Sequence, residues 1–318
     1  MRHGGPTEPT LSYLHWLRTR WRVGRDARSS PHSTGLLIFA FHRLFEDRRD
    51  ALRNTCHPHQ GITVGFFREF VEALLDHGIV IQDLPTALKS RTAAPVAAIT
   101  FDDGYADNAR ALPALERLNV PATFFISTGH VRMQKAFWWD ALFREASRAG
   151  IPPRVVLEEI REMKRLPVEE IESRVTARYG RRALEPLDDT DRPFTPDELV
   201  RFAQSPLVTL GNHTRNHAIL VNYDRAGAGA QIRAAQQDLI GWTGRVPVAI
   251  AYPNGEFDDG TIAEARAAGL QIGLTVRPGL NTLDRLEPMT LSRVTVGGTP
   301  AAGQQATAFA RAARGNPL

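Results

Sequence analysis

Val96-Ala97-Ala98-Ile99-Thr100-Phe101-Asp102-Asp103-Gly104 is the stretch that decides the fold. An uncharged apolar run of this length suits a strand buried on both faces, since a strand wet on one side alternates apolar with polar residues. The run stops abruptly on two adjacent carboxylates and a glycine. Similar runs flank it. Leu36-Leu37-Ile38-Phe39-Ala40-Phe41 ends at His42-Arg43, and Ala122-Thr123-Phe124-Phe125-Ile126 follows. Between them, Phe66, Phe67, Phe70, Val71, Leu74 and Leu75 recur at helical spacing. Thr63 is placed to cap that helix and Gly78 to end it. Ile79-Val80-Ile81 reads as a short strand, Leu84 to Ser90 as a helical turn, and Asn108 to Leu118 as a second helix. Strand, helix, strand at this pitch is the βα pattern of a parallel sheet or barrel.

The pattern resumes later in the chain. Leu207-Val208-Thr209-Leu210 leads into Gly211-Asn212-His213, and Val248-Ala249-Ile250-Ala251-Tyr252 into Pro253-Asn254-Gly255. Ile272-Gly273-Leu274-Thr275 and Leu291-Ser292-Arg293-Val294-Thr295-Val296 follow, with helices expected over 230–243 and 261–268. Residues 130–196 differ. They are rich in Arg and Glu, helical by pattern and punctuated by prolines, and read as a helical insert or lid. The organisation expected is a flexible Arg-rich lead over 1–35, a main domain over 36–298 containing that insert, and a C-terminal helix and tail over 299–318.

Composition sets the outer limits. The 318 residues carry 39 Lys+Arg against 35 Asp+Glu, and part of the excess sits in Arg18, Arg20, Arg22, Arg25 and Arg28. Such a lead could touch an acidic surface peripherally, but it reads more simply as a solvated tail. The charge gives no reason to expect a nucleic-acid partner. Cys56 is the single cysteine, so no internal disulfide forms, as fits a reducing compartment. Leu11, Leu14, Trp16 and Leu17 are interrupted by His15 and Arg18, unlike the apolar core of a signal peptide, and no membrane span is read. A cytoplasmic setting is therefore expected.

The chemically interesting residues converge. His42, Asp102, Asp103, His213 and the Pro253-Asn254-Gly255 turn each follow the carboxyl end of an expected strand, where α/β sheets and barrels bind ligands. Two adjacent carboxylates at the end of a buried strand repel one another, and a divalent cation removes the conflict. One can ligate while the other stays free as a base. Read alone, Asp-Asp-Gly also fits a solvated turn. His213-Thr214-Arg215-Asn216-His217 places two histidines at i and i+4, on one face of a helix if a helix starts there. Asp103, His213 and His217 then form an open three-ligand set, for which Zn2+ is the first choice, and a water on such a centre becomes a nucleophile near neutral pH.

Thr100-Phe101-Asp102-Asp103-Gly104 and His213-Thr214-Arg215-Asn216-His217 resemble the first two motifs of the polysaccharide deacetylases (the NodB-homology domain, carbohydrate esterase family 4). Tyr252-Pro253-Asn254-Gly255 resembles the third, and Leu291-Ser292-Arg293 falls where a late motif would. The resemblance implies a distorted (β/α) barrel, with about seven strands expected here. It implies a metal-dependent hydrolase that removes N-acetyl or O-acetyl groups from an acetylated glycan or glycan precursor. Asp103, His213 and His217 would hold the metal, Asp102 would be the general base, and Thr214 would position the loop. The Asn254 backbone N–H would help stabilise the oxyanion. Two positions depart from the family pattern. Ala251 stands where an Arg often pairs with the base, and Ser292 where a His often serves as the acid. Arg293 is the candidate substitute for the first and His42, in Phe41-His42-Arg43, for the second. Trp138-Trp139 could stack on sugar or pin the insert to the barrel, and Gly279-Leu280-Asn281 could turn near the same edge. Three rival functions stay open: a non-catalytic glycan-binding relative, a glycosidase with a second carboxyl about 5–10 Å from Asp102, and an amidohydrolase acting on another small amide.

Overall fold

The computed structural model describes residues 22–23, 35–53, 56–57 and 59–315. The expected amphipathic turn around Tyr13 to Trp21 lies outside them. Within the lead, β1 (Arg22–Val23) runs parallel to a later strand at Gly279-Leu280. The body opens with β2 (Gly35–Phe41), buried along its whole length. Next come α1 (Arg48–Ala51) and α2 (Val64–Asp76), the latter capped as expected by the Thr63 hydroxyl, which accepts from the Phe66 N–H at 3.1 Å. After β3 (Val80–Ile81) and α3 (Leu84–Leu88), β4 (Val96–Phe101) matches the apolar run residue for residue. A 3-10 segment and α4 (Leu112–Leu118) then lead to β5 (Ala122–Ile126).

A long helical excursion follows β5: α5 (Thr128–Met133), α6 (Trp138–Arg148), α7 (Pro153–Met163) and α8 (Val168–Tyr179). They carry their own apolar cluster, built from Phe137, Trp138, Leu142, Val156, Ile160, Ile171 and Val175. The barrel resumes with α9 (Pro196–Phe202), β6 (Val208–Asn212), α10 (Arg225–Thr243), β7 (Ala249–Ala251), α11 (Asp259–Ala267) and β8 (Ile272–Leu274). It ends with β9 (Gly279–Thr282), β10 (Val294–Thr295) and α12 (Ala302–Ala313).

The strands β2, β4, β5, β6, β7 and β8 are parallel neighbours in that order. The segment 291–295 joins the two ends. Leu291 bridges Leu274 on one side, and β10 pairs with Phe39 and Ala40 of β2 on the other. The result is a curled, distorted (β/α) barrel of seven parallel staves. The distortion is visible where β6 and β7 share only the Asn212–Ile250 pair. Both strand faces are covered, which explains why the apolar runs do not alternate. Leu36, Ile38, Val96, Ala98, Phe125, Ala249, Ala251 and Leu274 fill one face, while Leu37, Phe39, Phe41, Ile99, Phe101 and Phe124 fill the other. There Phe39, Phe41 and Phe101 meet α2, Phe39 also meets α12, and Phe124 meets Phe202 of α9.

Gly279-Leu280-Asn281 is not a turn at the site. It lies in β9, antiparallel to the amino end of β2, where the Asn281 amide donates to the Leu36 and Ser292 carbonyls. Among the described residues no helix is long and apolar enough to cross a membrane.

Candidate metal centre and its surroundings

The strand-end carboxylates are placed by backbone geometry. Asp103 and Gly104 take left-handed φ values of 78° and 89°, so the chain doubles back and the two aspartates point apart. For Gly104 this costs nothing; for Asp103 it is a strained conformation held by its surroundings. Thr214, His217 and Asn254 are also left-handed, at 62°, 53° and 58°. Four of the seven non-glycine residues with left-handed φ among the described residues thus lie in the three motif turns.

This corrects one expectation. His213 and His217 do not lie on a helix face; residues 214–216 form a turn after β6. The turn is closed by the Asn212 side chain accepting from the Thr214 N–H at 2.8 Å, and by the Thr214 hydroxyl accepting from the Ala218 N–H at 2.8 Å. The two imidazoles still converge, with centroids 4.8 Å apart. Each Nε2 lies 3.3 Å from Asp103 Oδ1.

The three side chains fit a divalent cation on chemical grounds. His213 Nδ1 sits 2.7 Å from the Ala251 carbonyl, which can only accept, so Nδ1 carries the proton and Nε2 turns its lone pair toward Asp103. A neutral imidazole lone pair facing a carboxylate oxygen is repulsive unless a proton or a cation lies between them. Both Asp103 oxygens are buried and lack a well-directed hydrogen-bond donor among the described residues. Burial opposes ionisation of Asp103, and protonated imidazoles facing it, or a cation in the proton's place, hold its carboxyl well below the usual range. The ligand atoms of Asp103, His213 and His217 lie within 4.8 Å of one another, the one such cluster among the described residues.

Asp102 points to the other side. Arg293 grips it bidentately, Nη1 to Oδ1 and Nη2 to Oδ2, both at 2.7 Å. The guanidinium is fully buried and is itself held by the Thr275 carbonyl at 2.9 Å and the Thr100 hydroxyl at 3.2 Å. Burial raises the Asp102 carboxyl pKa, but Arg293 and His213 outweigh it and the net shift is downward. The structure thus puts Arg293, carried in by the strand segment that closes the barrel, beside Asp102, where Ala251 offers only a backbone.

His42 follows β2 next to this pair, with the Asp102 N–H donating to the Phe41 carbonyl at 2.9 Å. Its Nδ1 is buried without a partner among the described residues. Burial lowers its pKa against the pull of Asp103 and Asp102. Its ring stacks at 5.5 Å on His59, which sequence reasoning passed over along with His57. Burial depresses both: His57 to about 4, and His59 well below the ordinary value. No motif marks them; only the path of the chain past Tyr105 brings them in.

Trp138 and Trp139 are buried, so they pin the insert rather than offer exposed rings to a sugar. The Trp139 ring meets His217 edge-on at 4.6 Å, and its indole N–H donates to the Tyr105 hydroxyl at 2.9 Å. Tyr105 in turn donates to Asp140 at 2.6 Å. Asn254, in the turn after β7, is bonded by Lys164 of the insert at 3.0 Å, a contact that spacing could not reveal.

A family model described as polysaccharide deacetylase matches residues 89–273. Several solved structures share the fold. The Streptococcus pyogenes deacetylase PplD in complex with acetate aligns with a TM-score of 0.59 at 15% identity, covering 86% of this chain and 98% of its own. IcaB from Ammonifex degensii aligns at 0.60 and 18%, covering 88% and 98%. A Bacillus cereus polysaccharide deacetylase aligns at 0.58 and 17%, covering 86% and 69%. No curated protein matches the sequence. With the family model spanning more than half of the chain and the two leading motifs meeting at one centre, the protein belongs to the polysaccharide deacetylase family of hydrolases.

Proposed function

We propose that this chain removes N-acetyl groups, or O-acetyl groups in the same manner, from an acetylated glycan, using a divalent cation, first of all Zn2+, held by Asp103, His213 and His217. One observation carries the reading. The three ligands meet beside an ionised, Arg-clamped Asp102 on the carboxyl side of the barrel. A cation bound there would polarise the acyl oxygen and lower the pKa of water.

The chain's own groups supply the rest. Asp102, ionised at neutral pH, accepts a proton as a water oxygen bonds to the acyl carbon. The Arg293 clamp fixes the orientation of the carboxylate during that transfer. The backbone N–H of Asn254 donates to the developing oxyanion. The carbon–nitrogen bond then breaks, and the proton that Asp102 took from water passes by way of His42 to the amine nitrogen. The balance is one water consumed, with one acetate and one protonated amine formed, and Asp102 and His42 returned to their starting states.

The test is acetate release from N-acetylated oligosaccharides by the zinc-loaded protein. Asp102→Asn is expected to lower kcat about 10²–10⁴-fold, the range for general acid–base catalysis. An Asp102→Asn variant as active as wild type would remove the mechanism.

A further inference from the structure

The helical insert reaches back into the site through one side chain. Lys164 caps α7, and its ammonium donates to Asn254 Oδ1 at 3.0 Å. On its other side the Asn254 amide nitrogen bonds the exposed Glu256 carboxylate. Asn254, left-handed at φ 58°, is thus held by both ends of its amide. The loop bearing Lys164 is itself anchored: the Asn222 amide donates to the Lys164 and Leu166 carbonyls at 2.9 and 3.0 Å, and the Tyr223 hydroxyl accepts from the Val168 N–H at 2.8 Å. Lys164 also lines, with Trp139 and His217, a narrow cleft beside the metal ligands. Among the described residues it forms no ion pair. An ammonium so placed holds a neutral amide by a charge-assisted bond, about twice as strong as an ordinary one. Arginine supplies nearly all the positive charge of this chain; the lysines are Lys89, Lys135 and Lys164.

Resting on the deacetylase reading above, we propose that Lys164 is a positioning residue for acyl transfer: it fixes the Asn254 turn so that its backbone N–H faces the oxyanion, which makes the insert an integral part of the reaction site. A misplacement of about 1 Å at such a donor costs up to about 10²-fold in rate. The effect falls on kcat, because the oxyanion exists only after attack.

The experiment compares wild type, Lys164→Met and Lys164→Arg, all zinc-loaded, for acetate release, zinc content and thermal unfolding. Lys164→Met is expected to lower kcat about 10–100-fold, with KM within about threefold, zinc stoichiometry intact and unfolding unchanged. Lys164→Arg, which keeps the charged donor, is expected to recover most of the loss. An active wild type with Lys164→Met within about threefold of its kcat overturns this inference alone. Loss of zinc or of the folding transition in Lys164→Met overturns it too, since the residue would then be structural. A wild type silent on every acetylated saccharide sinks the deacetylase reading and this inference together.

Discussion

Replacing Arg293 with methionine probes the central electrostatic device without needing a substrate. The Arg293 side chain is 0% exposed and that of Asp102 3%, so water cannot replace the lost guanidinium. Removing one partner of a buried ion pair typically costs about 3–5 kcal/mol, because the remaining charge is left without water or counterion. The bonds to Thr275 and Thr100 add neutral contacts of about 1 kcal/mol each, placing the expectation at the upper end of that range. Adding Asp102→Asn removes the orphaned charge. The double variant should therefore be more stable than Arg293→Met alone, with a coupling of about 2 kcal/mol or more. The pH dependence has a definite sign. In wild type the lowered carboxyl contributes stability above its unfolded pKa that is lost as pH falls. In Arg293→Met burial is opposed only by the nearby histidines and the carboxyl pKa rises, so the deficit should narrow from pH 7 towards pH 4. Urea unfolding midpoints at both pH values read all of this. A deficit under about 1 kcal/mol, or strictly additive losses in the double variant, would refute the reasoning.

Other consequences follow from the surroundings of the site. A methyl group on Gly129 would lie 2.2 Å from Asn216 Oδ1 and 2.7 Å from the Arg215 carbonyl, so the turn carrying His217 must move. Gly129→Ala is expected to weaken zinc binding about 10–100-fold in chelator competition, with circular dichroism unchanged; unaltered affinity would contradict it. His130 is buried with its pKa lowered to about 3, by burial first and Lys135 second. A depressed folded-state value means its contribution is present above the unfolded pKa and lost as pH falls below it, by about 2 kcal/mol between pH 7 and pH 5. His130→Gln should lose correspondingly less stability over that interval, and an equal loss would count against the assignment.

How much could be read beforehand varied with physical cause. The barrel strands were legible because burial on both faces writes continuous apolar runs such as Leu36–Phe41 and Val96–Phe101. Candidate ligands were legible because Asp103 and His213 directly follow such runs. The helical placement of His217 failed because spacing of i and i+4 also fits a turn, and the left-handed backbone of Thr214 and His217 has no glycine to announce it. Arg293 could be suggested but not placed, since its contact with Asp102 depends on the closure of β8 through residues 291–295 onto β2. Lys164, His57 and His59 were silent for the same reason. Tertiary contacts bring them to the centre, not any local pattern.

The most direct test of the account is metal content by native mass spectrometry on wild type and on the His213→Ala/His217→Ala double variant, each after zinc addition and desalting. The account predicts about one divalent ion per wild-type chain and none retained by the folded double variant. A folded wild type that holds no stoichiometric metal, or a double variant that keeps it, would contradict the assignment of Asp103, His213 and His217.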